Sequence, residues 1–342
     1  MMYSRRQFSK LALGSVPLVS GLVSPTGLFA QSKPNSKIAG VQIGTMVPNS
    51  LRGVPNDMLA YRDAVAKIGL NGCECHNEPF EAFLGAPQPT ARAGFGGPPP
   101  GGGAGSPPGG AAQAGGGGGR ASPTPEQLAA RKVDQEALTK WRLAASMSNF
   151  VQARKLWNDA GVQPYAFKIP LTLDLPDAEY DYAFMVAKAI GASSLTMELP
   201  SDPAVSARVG KFGEKHKMMV GYHAERPASP AWWDVALAQS PFNSMNLDVG
   251  HYVGAGNKDA LDFILKNHAR ISSMHVKDYK LGGGSMPWGQ GDTPIIPIVQ
   301  LVRDQKWGFP VTIELDYKVP DNSTMPDEVA KCYDYIKKAL LT

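Results

Sequence analysis

The 342-residue chain is predicted to fold as one (β/α)8 TIM barrel, a domain of the α/β class. Two observations predict this fold: eight short β-type segments can be counted, and helix-compatible stretches separate them. The composition agrees, because 43% hydrophobic and 19% charged residues are ordinary for a globular protein with a large core. A third observation is that the later segments end in polar residues, as barrel strands do where they meet an active site.

The eight predicted strands are short, rich in β-branched or aromatic residues, and spaced by amphipathic stretches. They cover residues 38–46, 70–76, 162–169, 193–199, 218–224, 244–250, 271–277 and 311–317. An open doubly wound sheet would show the same alternation and is the alternative. The segment GTMVPNSLRGVP after the first strand lacks the G-x-G-x-x-G spacing of a dinucleotide-binding sheet, which favours the barrel.

A glycine- and proline-rich stretch interrupts the pattern after Phe83. Such a composition buries too little apolar surface to order itself, so we expect a disordered insert over about residues 86–123. A helix is predicted next, because Ser122 or Thr124 can cap it and apolar residues recur at helical spacing: Leu128, Leu138, Trp141 and Leu143. The insert therefore lies inside a single domain, residues 31–342, and does not separate two domains.

The N-terminus, SRRQFSKLALGSVPLVSGLVSPTGLFA, resembles a twin-arginine export signal over residues 1–30, with Arg5 and Arg6 as the twin arginines and cleavage near Ala30. A membrane anchor is the alternative. Glycine, serine and proline interrupt the apolar run and leave it short of a bilayer span, so we expect no stable anchor in the mature form. The resemblance implies a periplasmic protein, exported already folded by the twin-arginine machinery, often with a cofactor inserted.

The net charge and the cysteine content bear on two further questions: whether the protein binds nucleic acid and whether it contains a disulfide. Removing the three basic residues of the signal lowers the formal net charge from +4 to +1, so no basic footprint for nucleic acid remains. Cys73 and Cys75 lie two apart on a predicted strand and face the same side, with poor geometry for a disulfide. We interpret them as small buried side chains, with a metal-binding pair as the alternative.

The last five predicted strands each carry a metal-binding or titratable residue near the C-terminal end. These residues are Glu198, His223, Asp248, His275 and Glu314. In a β/α barrel such ends converge on one face. A single buried aspartate or histidine is more often a structural group, but several crowded carboxylates would cost several kcal/mol each without a cation. One divalent ion is therefore predicted, and the mixed oxygen and nitrogen ligands suit Mn, Co, Zn or Fe more than Ca.

These motifs resemble the xylose-isomerase-like barrel superfamily of sugar isomerases and epimerases. The resemblance rests on GYHAE on the fifth strand, LDVGH on the sixth, HVKD on the seventh, WGQGD in the loop after it, and IELD on the eighth. It covers the chain from Ile38 to Leu341 outside the insert, and its motifs are more specific for the superfamily than for a substrate.

The resemblance implies a divalent metal held by Asp248, His275 and Glu314. The fourth ligand is His223 or Glu198, because the epimerases usually have a glutamate at the position of His223. We predict that His223 binds the metal and that Glu198 faces the substrate as a general base.

Two further residues near these ligands are predicted to be catalytic. His251 corresponds to a histidine that holds substrate oxygen in related epimerases, with a hydrogen-bond partner of a ligand as the alternative. Lys277 projects to the same side of its strand as His275, where a cation can stabilise an enolate. Its alternative is a solvated lysine paired with Asp278 or Asp316.

Tryptophans offer candidate contacts to a sugar ring. Trp288, at the centre of the glycine-punctuated loop 282–295, is predicted to bind substrate by stacking, with plain loop packing as the alternative. Trp232 and Trp233, after the fifth strand, are expected in a helix core.

The expected function is a metal-dependent isomerase or epimerase that acts on an unphosphorylated sugar or keto-sugar through an enediolate. Loss of a β-substituent from the same intermediate would instead make it a lyase on 3-keto-glycosides, and a hydrolase on them is a related alternative. A non-catalytic sugar-binding barrel is the alternative of another class. The predicted export disfavours both sugar phosphates and damaged DNA as substrates. The near-neutral charge of the mature chain independently disfavours DNA.

Overall fold

Eight parallel strands close into a barrel in the computed structural model of the protein, which describes residues 33–90, 124–225 and 229–342. The strand β1 pairs with both β2 and β8, which closes the ring, and every other strand pairs with its neighbours in chain order. The strands are β1 (Val41–Val47), β2 (Gly72–His76), β3 (Gln163–Lys168), β4 (Ser194–Glu198), β5 (Met219–His223), β6 (Asn243–Asp248), β7 (Ile271–Val276) and β8 (Val311–Ile313). The predicted barrel is confirmed.

The last strand is shorter than predicted. It ends at Ile313 rather than at residue 317, although the Glu314 N–H still donates to the Val276 carbonyl at 3.2 Å. The chain then leaves the sheet, and the residues after β8 lie over the C-terminal mouth of the barrel.

The described part of the chain contains eleven α-helices, and those between the strands surround the barrel. They are α1 (Met58–Ile68), α2 (Asn77–Phe83), α3 (Pro125–Ala144), α4 (Met147–Asp159), α5 (Asp177–Ile190), α6 (Pro203–His216), α7 (Asp234–Gln239), α8 (Val249–Gly254), α9 (Ala260–Asn267), α10 (Ile295–Asp304) and α11 (Met325–Leu341). Thr124 caps α3 as predicted, in a reciprocal capping box with Gln127.

Alternation along the strands separates an apolar outer layer from a polar interior. On β2, Cys73 and Cys75 join the hydrophobic core between strands and helices, while Glu74 between them points inward. The two cysteines are free and buried, with their sulfurs 3.3 Å apart. The interior near the N-terminal end is filled by Tyr165, whose ring would lie 2.5 Å from a Cβ at Gly44.

Helix α3 is fixed to the barrel by a buried charge and not by its predicted apolar face. Leu128 and Leu143 are exposed, whereas Arg142 is buried and forms hydrogen-bonded ion pairs with Glu81 and Glu179. Trp141 packs partly buried against Phe150. The helical spacing of apolar residues therefore predicted the helix correctly. It did not predict that Arg142 is the side chain that connects the helix to the rest of the domain.

Residues 86–90, which were expected to begin the insert, are described and hydrogen-bonded to helices of the domain. The Ala86 N–H donates to the Glu81 carbonyl at 2.9 Å, and Thr90 is hydrogen-bonded to the Asp134 carboxylate. Residues 91–123 of the predicted insert, and the predicted signal over residues 1–30, lie outside the described residues. None of the helices in the described ranges combines the length and apolarity that a bilayer span requires.

A buried glutamate joins the segment after β8 to the last helix. The Glu328 carboxylate on α11 accepts hydrogen bonds from the Tyr317 hydroxyl at 2.8 Å, from Ser323 at 2.5 Å and from Lys331 at 2.5 Å. Burial alone would raise the pKa of Glu328, but the bonds from these three residues outweigh it and hold the pKa below its ordinary value.

A Glu328→Gln variant is expected to lose about 1 kcal/mol of unfolding free energy at pH 7. Because the pKa of Glu328 is lower in the folded than in the unfolded state, its contribution is present above the ordinary value of 4.5 and is lost as the pH falls below it. Urea unfolding at pH 7, 5 and 3.5 measures this, with the exposed Glu136→Gln as control. A difference between wild type and variant that stays constant across these pH values contradicts the assignment.

Candidate active site

Four buried side chains meet at the C-terminal mouth of the barrel. His223, Asp248 and His275 lie at the ends of β5, β6 and β7, and Glu314 directly follows β8. One potential ligand atom from each lies within 4.8 Å of the others. Period-two alternation explains the convergence, because each of these residues occupies an inward position of its strand. We call these four residues the cluster.

The contacts within the cluster are those of atoms that converge on one point. The His223 Nε2 lies 3.3 Å from an Asp248 carboxylate oxygen, and the His275 Nδ1 lies 2.6 Å from a Glu314 oxygen. Both the His275 Nδ1 and that Glu314 Oε2 are buried without a hydrogen bond. Buried ring nitrogens and carboxylate oxygens that face one another at these distances fit a cation, so the cluster can hold a metal ion.

The far side of His275 is held by Glu74, which the sequence analysis missed. The Glu74 carboxylate lies 2.7 Å from the His275 Nε2 and accepts further hydrogen bonds from Thr196 and Asn246. Burial would raise the pKa of Glu74, but His275 outweighs it and lowers the pKa to about 2. Burial would lower the pKa of His275, but Glu74 and Glu314 raise it to about 10. The alternation in GCECH, with two apolar cysteines around one glutamate, was the available signal.

Glu198 lies beside the cluster and not within it. One of its carboxylate oxygens is 2.7 Å from the His223 Nδ1, and the other accepts a hydrogen bond from Lys168 at 2.5 Å. Its side chain is half exposed. Burial opposes ionisation, but His223 and Lys168 outweigh it and hold the pKa of Glu198 well below its ordinary value. His223 and Glu198 were the two candidates for the fourth metal ligand. In the structure His223 belongs to the cluster, whereas Glu198 contacts the His223 Nδ1, which faces away from the cluster.

Lys277 occupies the other side of the cluster and is only 2% exposed. Its ammonium group lies 3.0 Å from Asp248, 3.2 Å from Glu314 and 2.8 Å from Asp316. Burial would lower the pKa of Lys277, but these three carboxylates outweigh it and raise the pKa well above its ordinary value. The alternative of a solvated lysine is therefore wrong, although the pairing with Asp316 is present.

His251 lies on α8, directly beside Lys277. Its Nε2 is 3.1 Å from the Lys277 Nζ and 3.2 Å from an Asp316 oxygen, and its backbone N–H donates to Asp248 at 2.8 Å. The close approach of α8 requires Gly250, because a Cβ there would lie 2.6 Å from the Cβ of Lys277. His251 thus contacts both a cluster residue and the buried ammonium group.

The loop that carries Trp288 is organised by Asp278. One oxygen of its carboxylate accepts backbone hydrogen bonds from Gly289, Gln290 and Gly291 at 2.8 to 3.1 Å. Trp288 is partly buried against the hydrophobic core and packs edge-on against Tyr335 of α11, with ring centroids 6.0 Å apart. This packing favours the alternative interpretation, so a substrate contact by Trp288 stays a prediction.

The neighbouring tryptophans after β5 have opposite environments. Trp233 is 1% exposed and donates its indole N–H to the Tyr222 carbonyl at 2.9 Å, as expected for a core residue. Trp232 is 44% exposed, so the expectation of core packing is wrong for it. Its side chain lines a cavity of about 740 Å³, to which Glu198 and His223 also contribute. We call this space the side cavity.

Comparison with protein-family models and with curated proteins finds no match. Solved structures do match, and among them are xylose isomerase domain proteins and sugar isomerases or epimerases. A xylose isomerase domain protein from Alicyclobacillus acidocaldarius is 13% identical with a TM-score of 0.55, over 87% of this chain and 98% of that one. A sugar phosphate isomerase/epimerase from Parabacteroides distasonis is 14% identical with a TM-score of 0.54, over 89% and 98%.

A third structure, a 3-keto-D-glucoside 4-epimerase from E. coli, is 9% identical with a TM-score of 0.50, over 87% of this chain and 99% of that one. At such identities the likeness concerns the fold. The predicted resemblance to xylose-isomerase-like barrels is thereby confirmed at the level of the fold.

Proposed function

We propose that this protein is a divalent-metal-dependent isomerase or epimerase that moves a proton next to the carbonyl of an unphosphorylated sugar or keto-sugar. The observation that carries the proposal is the cluster, in which two imidazoles and two carboxylates meet at the C-terminal mouth of the barrel. The fold, shared with sugar isomerases and epimerases, supports the same reaction class by analogy.

His223, Asp248, His275 and Glu314 would hold the ion. Two nitrogen and two oxygen ligands suit Mn, Co, Zn or Fe(II). When bound, the ion polarises a carbonyl and its neighbouring hydroxyl and so acidifies the C–H bond between them. The close approach of the buried His275 Nδ1 and Glu314 Oε2, 2.6 Å apart, supports this ligand set.

Glu198 is the proposed general base. Its carboxylate is ionised at neutral pH, as an acceptor of a proton must be, and its half-exposed side chain lines the side cavity beside His223. Glu314 follows β8, which is four strands away from β4 in a ring of eight. Two carboxylates on opposite sides of the mouth would allow a proton to leave one face of the sugar and return to the other, as epimerisation requires.

Lys277 and His251 are proposed to stabilise the substrate oxygen on which charge develops. The raised pKa of Lys277 keeps its ammonium group protonated, so that it acts as a hydrogen-bond donor and not as a base. His251, 3.1 Å from that group, is placed to hold the same oxygen or to orient the lysine. The positive charge of Lys277 would thus favour the enediolate over the ketone.

An unphosphorylated substrate is proposed for two reasons. Sugar phosphates are cytoplasmic, whereas the N-terminal segment predicts export to the periplasm. In addition, the described residues that line the side cavity include Glu198 and Glu225 but neither lysine nor arginine. Among these described lining residues a phosphate would meet two carboxylates, one of them already paired with Lys168, and no free cation.

A lyase on 3-keto-glycosides is the second candidate. It needs the same removal of a proton but no return of it, and the sugar then loses its β-substituent. Neighbours in fold include both a 3-keto-D-glucoside 4-epimerase and a probable 3-DHS dehydratase from Bacillus anthracis. The products of the reaction distinguish the two candidates.

Proton exchange tests the proposal. The metal-loaded protein is incubated in deuterated water with unphosphorylated sugars and 3-keto-glycosides, and substrates and products are followed by NMR. We expect deuterium at a carbon next to a carbonyl, abolished by chelator and by Glu314→Gln but not by the control Glu136→Gln. An isomer or epimer supports the first candidate and an eliminated product supports the lyase. The absence of both exchange and product would favour a non-catalytic sugar-binding barrel.

Glu74 is expected to position His275 without touching substrate. A Glu74→Gln variant should bind divalent metal roughly 10 to 100-fold more weakly, because the carboxylate that orients the ring and raises its basicity is lost. Competition with a chromophoric chelator measures the dissociation constant for Zn²⁺, again with Glu136→Gln as control. Unchanged affinity in a folded Glu74→Gln variant would show that Glu74 has only a packing role.

A further inference from the structure

We propose that the side cavity binds the second ring of an uncharged glycoside whose reacting ring lies at the cluster. The inference rests on the proposed function for the position of the reacting ring, and it names the substrate class as a glycoside or disaccharide and not a free monosaccharide. Three features of the side cavity carry it: its position and size, its exposed tryptophan, and the charge of its lining.

The side cavity adjoins the cluster and is large enough for an additional sugar ring. His223, a cluster residue, and Glu198, which is hydrogen-bonded to it, both line the cavity. Its volume of about 740 Å³ lies in the upper part of the roughly 300–1,000 Å³ typical of ligand pockets. A ligand that begins at the cluster can therefore continue into this space between the segments that follow β4 and β5.

Trp232 is held in place while its indole stays open to the cavity. The short turn Pro230–Trp233 is capped by the Ser229 hydroxyl, which accepts the Ala231 N–H at 3.0 Å. The next residue, Trp233, is anchored in the core by its bond to the Tyr222 carbonyl. These bonds fix the backbone that carries Trp232, whose 44% exposed indole can match the apolar face of a pyranose ring.

The rest of the lining fits an uncharged, hydroxylated ligand. The carboxylates of Glu198 and Glu225 and the hydroxyl of Ser201 can accept hydrogen bonds from sugar hydroxyls, and Leu199 and Val235 provide apolar contacts. Glu225 would repel a uronate, sulfate or phosphate group, the charge of Glu198 is already paired with Lys168, and the described lining includes no lysine or arginine to bind such a group. The chemistry therefore selects a neutral glycosyl unit.

The test compares two-ring and one-ring sugars in the presence of chelator, where no turnover occurs. Binding of glucose, maltose, cellobiose, trehalose and laminaribiose to the full chain is measured by tryptophan fluorescence and by saturation-transfer NMR. The variants are Trp232→Ala, Trp232→Phe and the control Leu265→Ala, whose side chain is also 44% exposed but lies outside the cavity lining.

We expect at least one disaccharide to bind roughly tenfold more tightly than glucose, about 1.4 kcal/mol. Trp232→Ala should remove this preference, whereas Trp232→Phe and Leu265→Ala should keep most of it. Saturation transfer should reach both rings of the preferred disaccharide. No preference for any disaccharide, or a preference that survives Trp232→Ala, overturns the proposal. Because binding is measured without metal, the result does not depend on whether proton exchange is observed.

Discussion

A His275→Gln variant is expected to bind divalent metal at least 100-fold more weakly than wild type and to lose detectable sugar turnover. Loss of an outer partner of a metal ligand typically costs about 10 to 100-fold in affinity, and loss of the ligand itself should cost at least the upper end of that range. His275 is fully buried between Glu74 and Glu314. No other described side chain can therefore take the place of its imidazole as a metal ligand. Chelator competition with Zn²⁺ and Mn²⁺ measures the affinity.

The matched control for this variant is His268→Gln. His268 is exposed and lies on a short helical turn, where it stacks on Trp307 and contacts the Leu265 carbonyl. The His268→Gln variant should bind metal with the same affinity as the wild-type protein. Circular dichroism shows whether each variant is folded. A folded His275→Gln protein with wild-type metal affinity would exclude His275 as a ligand.

An Arg142→Met variant is expected to lose about 3–5 kcal/mol of unfolding free energy. The Arg142 guanidinium makes two hydrogen bonds to Glu81, at 2.8 and 3.1 Å, and a third to Glu179 at 2.9 Å. All three side chains are buried, so removal of the cation leaves two carboxylates without a charge partner. For a protein of this size the loss corresponds to a fall in melting temperature of roughly 4–7 °C.

Two further variants separate the loss of charge from the loss of packing. Arg131→Met, an exposed arginine on the same helix, should melt within about 1 °C of wild type, because exposed substitutions away from structural features change stability little. Adding Glu81→Gln and Glu179→Gln to Arg142→Met should restore part of the stability, since the buried charges are then removed. A melting temperature of Arg142→Met equal to that of Arg131→Met contradicts the account.

The barrel and its cluster could be predicted because both follow from short-range patterns. Apolar alternation marks each strand, and the position of Asp248, His275 or Glu314 at a strand end depends only on that strand. The closed ring then brings the ends together without further information. The shorter β8 was not predictable, because the alternation in VTIELDY continues past Ile313 although the chain leaves the sheet there.

Residues whose environment depends on distant partners were harder to predict. Arg142 lies among exposed positions of α3, and its partners Glu81 and Glu179 are 61 and 37 residues away in the chain. Trp232 and Trp233 are adjacent in sequence, and only the geometry of their short turn sends one to the core and the other to the side cavity. Glu74 could have been found, because its inward position follows from the buried cysteines on either side.

Anomalous X-ray diffraction from crystals grown with Mn²⁺ or Zn²⁺ tests the central claim most directly. The account predicts one strong anomalous peak per chain, bounded by His223, Asp248, His275 and Glu314, with metal–ligand distances of about 2.0–2.2 Å. The Glu198 carboxylate should remain on the outer nitrogen of His223. A peak coordinated by Glu198 in place of His223, a peak at Cys73 and Cys75, or the absence of a peak among the four residues would contradict it.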